Sequence, residues 1–96
     1  MSLFNIAVLI SGSGTNLQAI IDAIDNGNIK KAKIAIVISN REGVFGLKRA
    51  EKHGIHNIFI NPEKFETRED YDRELVEYLK EKQVDLVVLA GYMNCI

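Results

Sequence analysis

The residues best suited to chemistry stand between an apolar run and a predicted helix, in the order Ser11-Gly12-Ser13-Gly14-Thr15-Asn16. Glycines let backbone N–H groups approach a bound anion, and a helix that starts directly afterwards turns the positive end of its dipole toward the same point. The hydroxyls of Ser13 and Thr15 and the amide of Asn16 add polar side chains there. The pattern therefore favours a site for one small phosphate ligand.

Larger phosphate ligands fit this loop less well. A dinucleotide loop has the pattern G-x-G-x-x-G and an acidic residue about 20 positions later, but Leu17 replaces the third glycine and the next apolar run ends in Ser39-Asn40. Arg41 would suit a 2′-phosphate, which keeps an NAD(P)-linked enzyme as a weak alternative. A nucleoside triphosphate loop needs a lysine where Thr15 stands. Two interpretations stay open: a phosphate monoester site, or a tight turn with Thr15 or Asn16 as helix N-cap.

The titratable side chains predict no catalytic group and no metal site. His53 is expected at the end of a helix and His56 at the amino end of a strand, both on the surface. The acidic residues concentrate in the charged segment 63–74, and Asp85 precedes a predicted strand. The single Cys95 cannot form an internal disulfide or a cysteine-based metal site.

The elements that must position the loop alternate between strand and helix. Continuous apolar runs rich in β-branched residues predict strands buried on both faces at Ile6–Ile10, Ile34–Ile38 and Leu86–Ala90, with a shorter strand at 57–60. Three- and four-residue spacing of apolar residues predicts three helices. The first runs from Leu17 to the stop at Asn26-Gly27-Asn28, and the second covers Val44–Lys52. The third covers Arg68–Lys82, with Thr67 as its cap.

This order predicts an α/β protein: a single domain over residues 1–96, folded as a Rossmann-like three-layer sandwich. Its four parallel strands are expected in the order 3-2-1-4, with helices on both faces. Ligands of such sheets bind at the carboxyl ends of the strands, where the order reverses. There the loop and Gly91-Tyr92-Met93 would flank one crevice. Because the fourth strand would lie at an apolar edge, we expect a homodimer or higher oligomer through residues 85–90.

The composition limits the partners and the compartment. A net charge of −1 with 26% charged residues gives no basic field for nucleic acid or an anionic membrane. No apolar run approaches the roughly 20 residues of a membrane span. With one cysteine and no signal-peptide pattern, the sequence favours a cytoplasmic protein without nucleic-acid or membrane partners.

Five segments resemble the phosphoribosylglycinamide formyltransferase family, and together they span nearly the whole chain. They are Ile10–Ile20, Ser39-Asn40, Phe45-Gly46-Leu47, Thr67–Leu75 and Leu89–Met93. The resemblance implies an enzyme of de novo purine biosynthesis that transfers a formyl group from 10-formyltetrahydrofolate to the amine of glycinamide ribonucleotide. That ribonucleotide carries one phosphate, which agrees with the separate interpretation of the loop.

The resemblance also implies roles for individual residues. The ribonucleotide-binding segment matches Gly12, Ser13, Gly14, Thr15 and Asn16. An arginine that contacts the folate matches Arg68, and a folate-contacting run, Met-Arg-Ile-Leu in the family, matches Met93, Asn94, Cys95 and Ile96. The family's catalytic asparagine, histidine and aspartate lie downstream of the position matching Ile96. We therefore expect the 96 residues to form an N-terminal ribonucleotide-binding domain that is inactive alone but still binds the ribonucleotide or phosphate.

Two other functions stay open at this point. One is a non-catalytic module that keeps the fold and self-associates through residues 85–90. The other is a different formyl-folate enzyme such as a deformylase. The early position of the loop disfavours the deformylase, because those enzymes resemble this chain only after an added regulatory domain.

Overall fold

The computed structural model describes residues 4–92 as a four-stranded sheet in the order β3-β2-β1-β4. The strands are β1 (Phe4–Ile10), β2 (Ala32–Ser39), β3 (Asn57–Phe59) and β4 (Leu86–Leu89), and every pairing is parallel. The helices are α1 (Thr15–Asp25), α2 (Phe45–Lys52) and α3 (Arg68–Glu81), with one 3-10 turn at Pro62–Lys64. The predicted class and strand order are confirmed.

Two apolar cores lie on opposite faces of the sheet, because successive side chains of β1 point to opposite sides. On one face Val8 and Ile10 pack with Leu17 of α1 and Ala50 of α2. On the other face Ala7 and Leu9 pack in a cluster with Tyr71 of α3. Helices α1 and α2 therefore cover one face and α3 covers the other, which confirms the three-layer arrangement.

Helix α3 begins and ends close to the predicted bounds. Its N-cap is Thr67, whose Oγ1 accepts a hydrogen bond from the N–H of Asp70 at 3.1 Å. This bond satisfies one of the backbone donors that a helix start leaves without an internal partner. No helix between residues 4 and 92 is long and apolar enough to cross a membrane.

Strand β4 departs from the prediction that it is buried on both faces. Leu86 is 46% exposed, Val87 40% and Leu89 64%. The reason is its place in the strand order: β4 pairs with β1, from Ile6↔Leu86 to Leu9↔Leu89, and no described strand lies on its other side. The prediction of burial was wrong for this strand, whereas its predicted edge position is confirmed within the sheet of residues 4–92.

Candidate functional site

The loop between β1 and α1 makes its turn with its backbone. Gly14 is the N-cap of α1 and has the left-handed values φ 78° and ψ 26°, and no side chain caps the helix. The interpretation of Thr15 or Asn16 as N-cap is therefore wrong. A glycine adopts this conformation without the steric cost that a Cβ would add. The first-turn N–H groups of α1 are left without a side-chain cap, and the side chains of Thr15 and Asn16 are exposed.

Helix α2 packs directly against the backbone of this loop at Gly46. The N–H of Gly46 donates to the carbonyl oxygen of Gly12 at 3.1 Å. A Cβ at Gly46 would overlap Cδ1 of Ile10 and lie 2.9 Å from the Gly12 oxygen, and a Cβ at Gly14 would lie 2.7 Å from the Gly46 Cα. The role of Gly46 as a support of the loop was not predicted from the sequence. The available signal was an isolated glycine inside a helical pattern, which commonly has a packing reason.

The contact with Gly46 decides which way the loop presents its donors. In a planar trans peptide the C=O of one residue and the N–H of the next point in opposite directions. Because the Gly12 carbonyl points to Gly46, the N–H of Ser13 points away from α2. A donor aimed outward beside the positive end of a helix suits an anion.

Gly12 has a different environment from the other two glycines. A Cβ placed there would meet no described atom within 4 Å. Packing within residues 4–92 therefore does not demand glycine at this position. The open space beside Gly12 is where a ligand atom could approach the backbone.

The ends of β1 and β2 are joined by a buried pair that the sequence analysis missed. The Oγ of Ser11 donates to Oδ1 of Asn40 at 2.7 Å, and both residues are buried. Beside them, the Oγ of Ser39 donates to the carbonyl of Arg41 at 2.7 Å. Ser39 and Asn40 thus shape the carboxyl edge of the sheet. Nothing in the local sequence signals a pairing of residues so far apart.

The ends of β1 and β4 are neighbours, as predicted. The N–H of Ala90 donates to the carbonyl of Leu9 at 2.9 Å, and a Cβ on Gly91 would lie 4.0 Å from Nδ2 of Asn16. Tyr92 packs with the core on the α3 side, and its hydroxyl lies 3.2 Å from that of Tyr71. Burial, and then this hydrogen bond, raise the pKa of Tyr71 above its ordinary value, so the phenol stays neutral. The predicted folate-contacting residues Met93, Asn94, Cys95 and Ile96 lie outside the described residues.

Arg68 lies in the first turn of α3, on the opposite face of the sheet from α1 and α2. Its Nε is 3.8 Å from Oδ2 of Asp72, and both side chains are about half exposed. Such an exposed ion pair contributes little to stability. Arg68 is accordingly open to solvent and to a ligand.

The histidines lie where the sequence placed them. His53 follows the last turn of α2 and His56 precedes β3, and both are exposed. The Nε2 of His53 lies 3.4 Å from Nε2 of Gln18, a contact outside the loop. Within residues 4–92, no three side chains of His, Cys, Asp or Glu are grouped so that they could hold a metal ion.

Comparison with known proteins identifies relatives of this arrangement. A model of the formyl transferase family matches residues 4–96. The trifunctional purine biosynthetic protein adenosine-3 of Drosophila pseudoobscura is 51% identical over 90 residues, which cover 93% of this chain and 7% of that protein. The phosphoribosylglycinamide formyltransferase of Escherichia coli is 48% identical over 90 residues, covering 94% of this chain and 42% of that enzyme.

A solved structure agrees with these sequence matches. Glycinamide ribonucleotide transformylase 1 from Symbiobacterium toebii superposes with a TM-score of 0.91 at 45% identity. The superposition covers 98% of this chain and 44% of that one. The 96 residues therefore span less than half the length of each of these three relatives.

Proposed function

Because this chain belongs to the formyl transferase family, we propose that it is the N-terminal part of a phosphoribosylglycinamide formyltransferase. Residues 1–96 then form a single ribonucleotide-binding domain of a cytoplasmic enzyme of purine biosynthesis. The reaction moves a formyl group from 10-formyltetrahydrofolate to the amine of glycinamide ribonucleotide. Two relatives are named for this activity.

One observation carries the assignment of the ribonucleotide site to Gly12, Ser13, Gly14, Thr15 and Asn16. The loop is fixed to α2 by Gly46, the Ser13 N–H is turned away from α2, and the space beside Gly12 is open. A single phosphate monoester fits a site with these few donors. Ser13, Thr15 and Asn16 are exposed and available to the same ligand.

The folate cosubstrate is assigned to Arg68 and to Met93, Asn94, Cys95 and Ile96. An arginine that is about half exposed can bind one of the carboxylates of 10-formyltetrahydrofolate. Residues 93–96 directly follow Tyr92, which is held by packing against the α3 side of the sheet.

Formyl transfer needs a group that accepts the amine proton and a donor that stabilises the tetrahedral oxyanion. Neither histidine of the chain lies at the loop: His53 contacts Gln18, and His56 precedes β3. We therefore propose that the 96 residues alone bind the ribonucleotide and do not transfer the formyl group.

Isothermal titration of the 96-residue chain tests this function. Glycinamide ribonucleotide and inorganic phosphate should both bind and compete with one another, whereas the riboside without its phosphate should not bind. Formyl transfer assayed in parallel should be absent. No heat of binding with either phosphate ligand at millimolar concentration would contradict the retained site, and measurable turnover would contradict the predicted inactivity.

A second candidate function is that of a non-catalytic module that self-associates through β4. The exposed apolar side chains of Leu86, Val87 and Leu89 on an edge strand favour it, because such an edge is a template for pairing with a second copy. A homodimer or higher oligomer is the expected state.

Light scattering over a range of concentrations tests the second candidate. The mass should exceed that of one chain, and Leu89→Lys should return it to the monomer value, because a charged side chain on an edge strand opposes pairing. Glu81→Lys, an exposed change at the end of α3, is the control. A clean monomer of the unmodified chain at high concentration would contradict self-association.

A further inference from the structure

The half-buried guanidinium of Arg49 in α2 joins three parts of the fold around the loop. Its Nε donates to the carbonyl oxygen of Ser13 at 2.8 Å, and its Nη1 donates to Oε1 of Gln18 at 3.2 Å. Its central carbon lies 4.7 Å from the ring centroid of Phe45. Arg49 therefore contacts the loop, α1 and its own helix at once.

We propose that Arg49 is a positioning residue of the anion loop: it holds the Ser13–Gly14 peptide so that the Gly14 N–H points into the ligand site. In a planar trans peptide the C=O and the N–H point in opposite directions. With the Ser13 carbonyl turned toward α2 by Arg49, the N–H of Gly14 points the opposite way. A reversed peptide would instead present a carbonyl oxygen to the anion and repel it.

The bond made by Arg49 and the bond made by Gly46 act on successive peptides of the loop. Gly46 fixes the Gly12 carbonyl and Arg49 fixes the Ser13 carbonyl, so the N–H groups of Ser13 and Gly14 are turned away from the same helix. The next carbonyl, that of Gly14, accepts from the N–H of Gln18 at 2.8 Å inside α1. Three consecutive carbonyls thus have partners, and none of the three need face a bound anion.

The arginine is itself fixed by its neighbours, which makes it a firm support. The Phe45 ring lies beside the guanidinium at a cation–π distance, and Gln18 holds one of its nitrogens. Gln18 is held in turn, since its Nε2 donates to Oδ1 of Asp22 at 3.0 Å. A lysine has no planar fork, so it could reach the Ser13 carbonyl but not reproduce both contacts.

This inference rests on the proposed function of the loop, and the structure supplies a reporter that does not need a ligand. Gly46 is the second residue of α2, so its N–H has no acceptor within that helix. Its acceptor is the Gly12 carbonyl. The rate of hydrogen exchange at the Gly46 amide therefore measures how firmly the loop is held against α2 in the free protein.

The test compares Arg49→Met, Arg49→Lys and a control, Arg73→Met, which removes an exposed arginine of α3. Arg49→Met should raise both the exchange rate at the Gly46 amide and the Kd for inorganic phosphate by about tenfold. This is the effect expected when a hydrogen bond from a charged donor is lost. Arg49→Lys should recover part of both effects. Arg73→Met should change neither, and thermal melting checks that each variant is folded.

Each outcome decides the role of Arg49. Unchanged exchange at Gly46 in Arg49→Met overturns the proposal. Weaker phosphate binding with unchanged exchange also overturns it, because Arg49 would then act by direct contact with the anion. If the unmodified chain fails to bind phosphate, the proposed function is wrong. Even then, faster exchange at the Gly46 amide in Arg49→Met, with slower exchange partly restored in Arg49→Lys, supports the positioning of the loop by Arg49.

Discussion

Replacing Gly46 with alanine should destabilise the protein, although alanine is the better helix former. The added methyl group would overlap Cδ1 of Ile10 and lie 2.9 Å from the Gly12 oxygen and 3.3 Å from the Gly14 Cα. Ile10 is fully buried, and two of the three neighbours are backbone atoms, so none of them can move away freely. The loop, α2 and β1 must therefore separate to accommodate the methyl group.

The expected magnitude follows from two opposing effects. Overpacking a tight contact costs about 1–3 kcal/mol, and the upper half of that range applies where backbone is the neighbour. Alanine gains up to about 1 kcal/mol over glycine in a helix. The net loss should be about 1–2 kcal/mol, which lowers Tm by roughly 5–15 °C in a domain of this size.

Urea unfolding followed by circular dichroism measures this loss, with Gly12→Ala as the matched control. A methyl group on Gly12 meets no described atom within 4 Å, so its stability change should stay within about 0.5 kcal/mol. Gly12→Ala should nevertheless weaken phosphate binding, since it fills the space beside the site. A Gly46→Ala protein as stable as the unmodified chain would refute the close packing of α2 on the loop.

Three further changes test other parts of the structure. Thr67→Ala should cost about 1 kcal/mol in urea unfolding because the cap bond to the Asp70 N–H is lost. Thr15→Ala should cost much less, and equal losses would contradict Gly14 as the N-cap of α1. Ser11→Ala should cost about 1 kcal/mol, because its hydrogen bond to buried Asn40 is lost, and the exposed Ser13→Ala change should be close to neutral. An equally neutral Ser11→Ala would argue against the buried pair. The free energy of unfolding should fall as pH rises above about 10, because Tyr71 then ionises in the unfolded chain while its raised pKa keeps it neutral in the folded one. Tyr71→Phe should show a smaller fall when unfolding is measured against pH, and identical pH profiles would contradict the burial of this phenol.

The strand order could be predicted from the sequence because four apolar runs alternate with three helical patterns and crossovers between parallel strands are right-handed. That order alone places the Ser11–Asn16 loop beside the end of β4. Apolar runs report a tendency to be buried, however, and not the number of neighbours a strand has. For that reason the edge exposure of Leu89 could not be obtained from the composition of β4.

The supports of the loop could not be predicted, because they are contacts between residues far apart in the chain. Arg49 meets the Ser13 carbonyl 36 positions away, and Ser11 meets Asn40 across 29. Periodicity gives the face on which a residue lies but not the atom it contacts. The N-cap was predicted from side-chain preferences, whereas the chain uses the left-handed conformation of Gly14.

Amide chemical shift mapping of the ¹⁵N-labelled chain during titration with glycinamide ribonucleotide shows whether the loop between β1 and α1 binds the phosphate. We expect saturable shifts that are largest at Ser13, Gly14 and Thr15, with the same residues responding to inorganic phosphate. Arg73 and its neighbours on α3 should not respond. Shifts confined to residues away from the loop, or none at millimolar ligand, would contradict the assignment of this loop as the phosphate site.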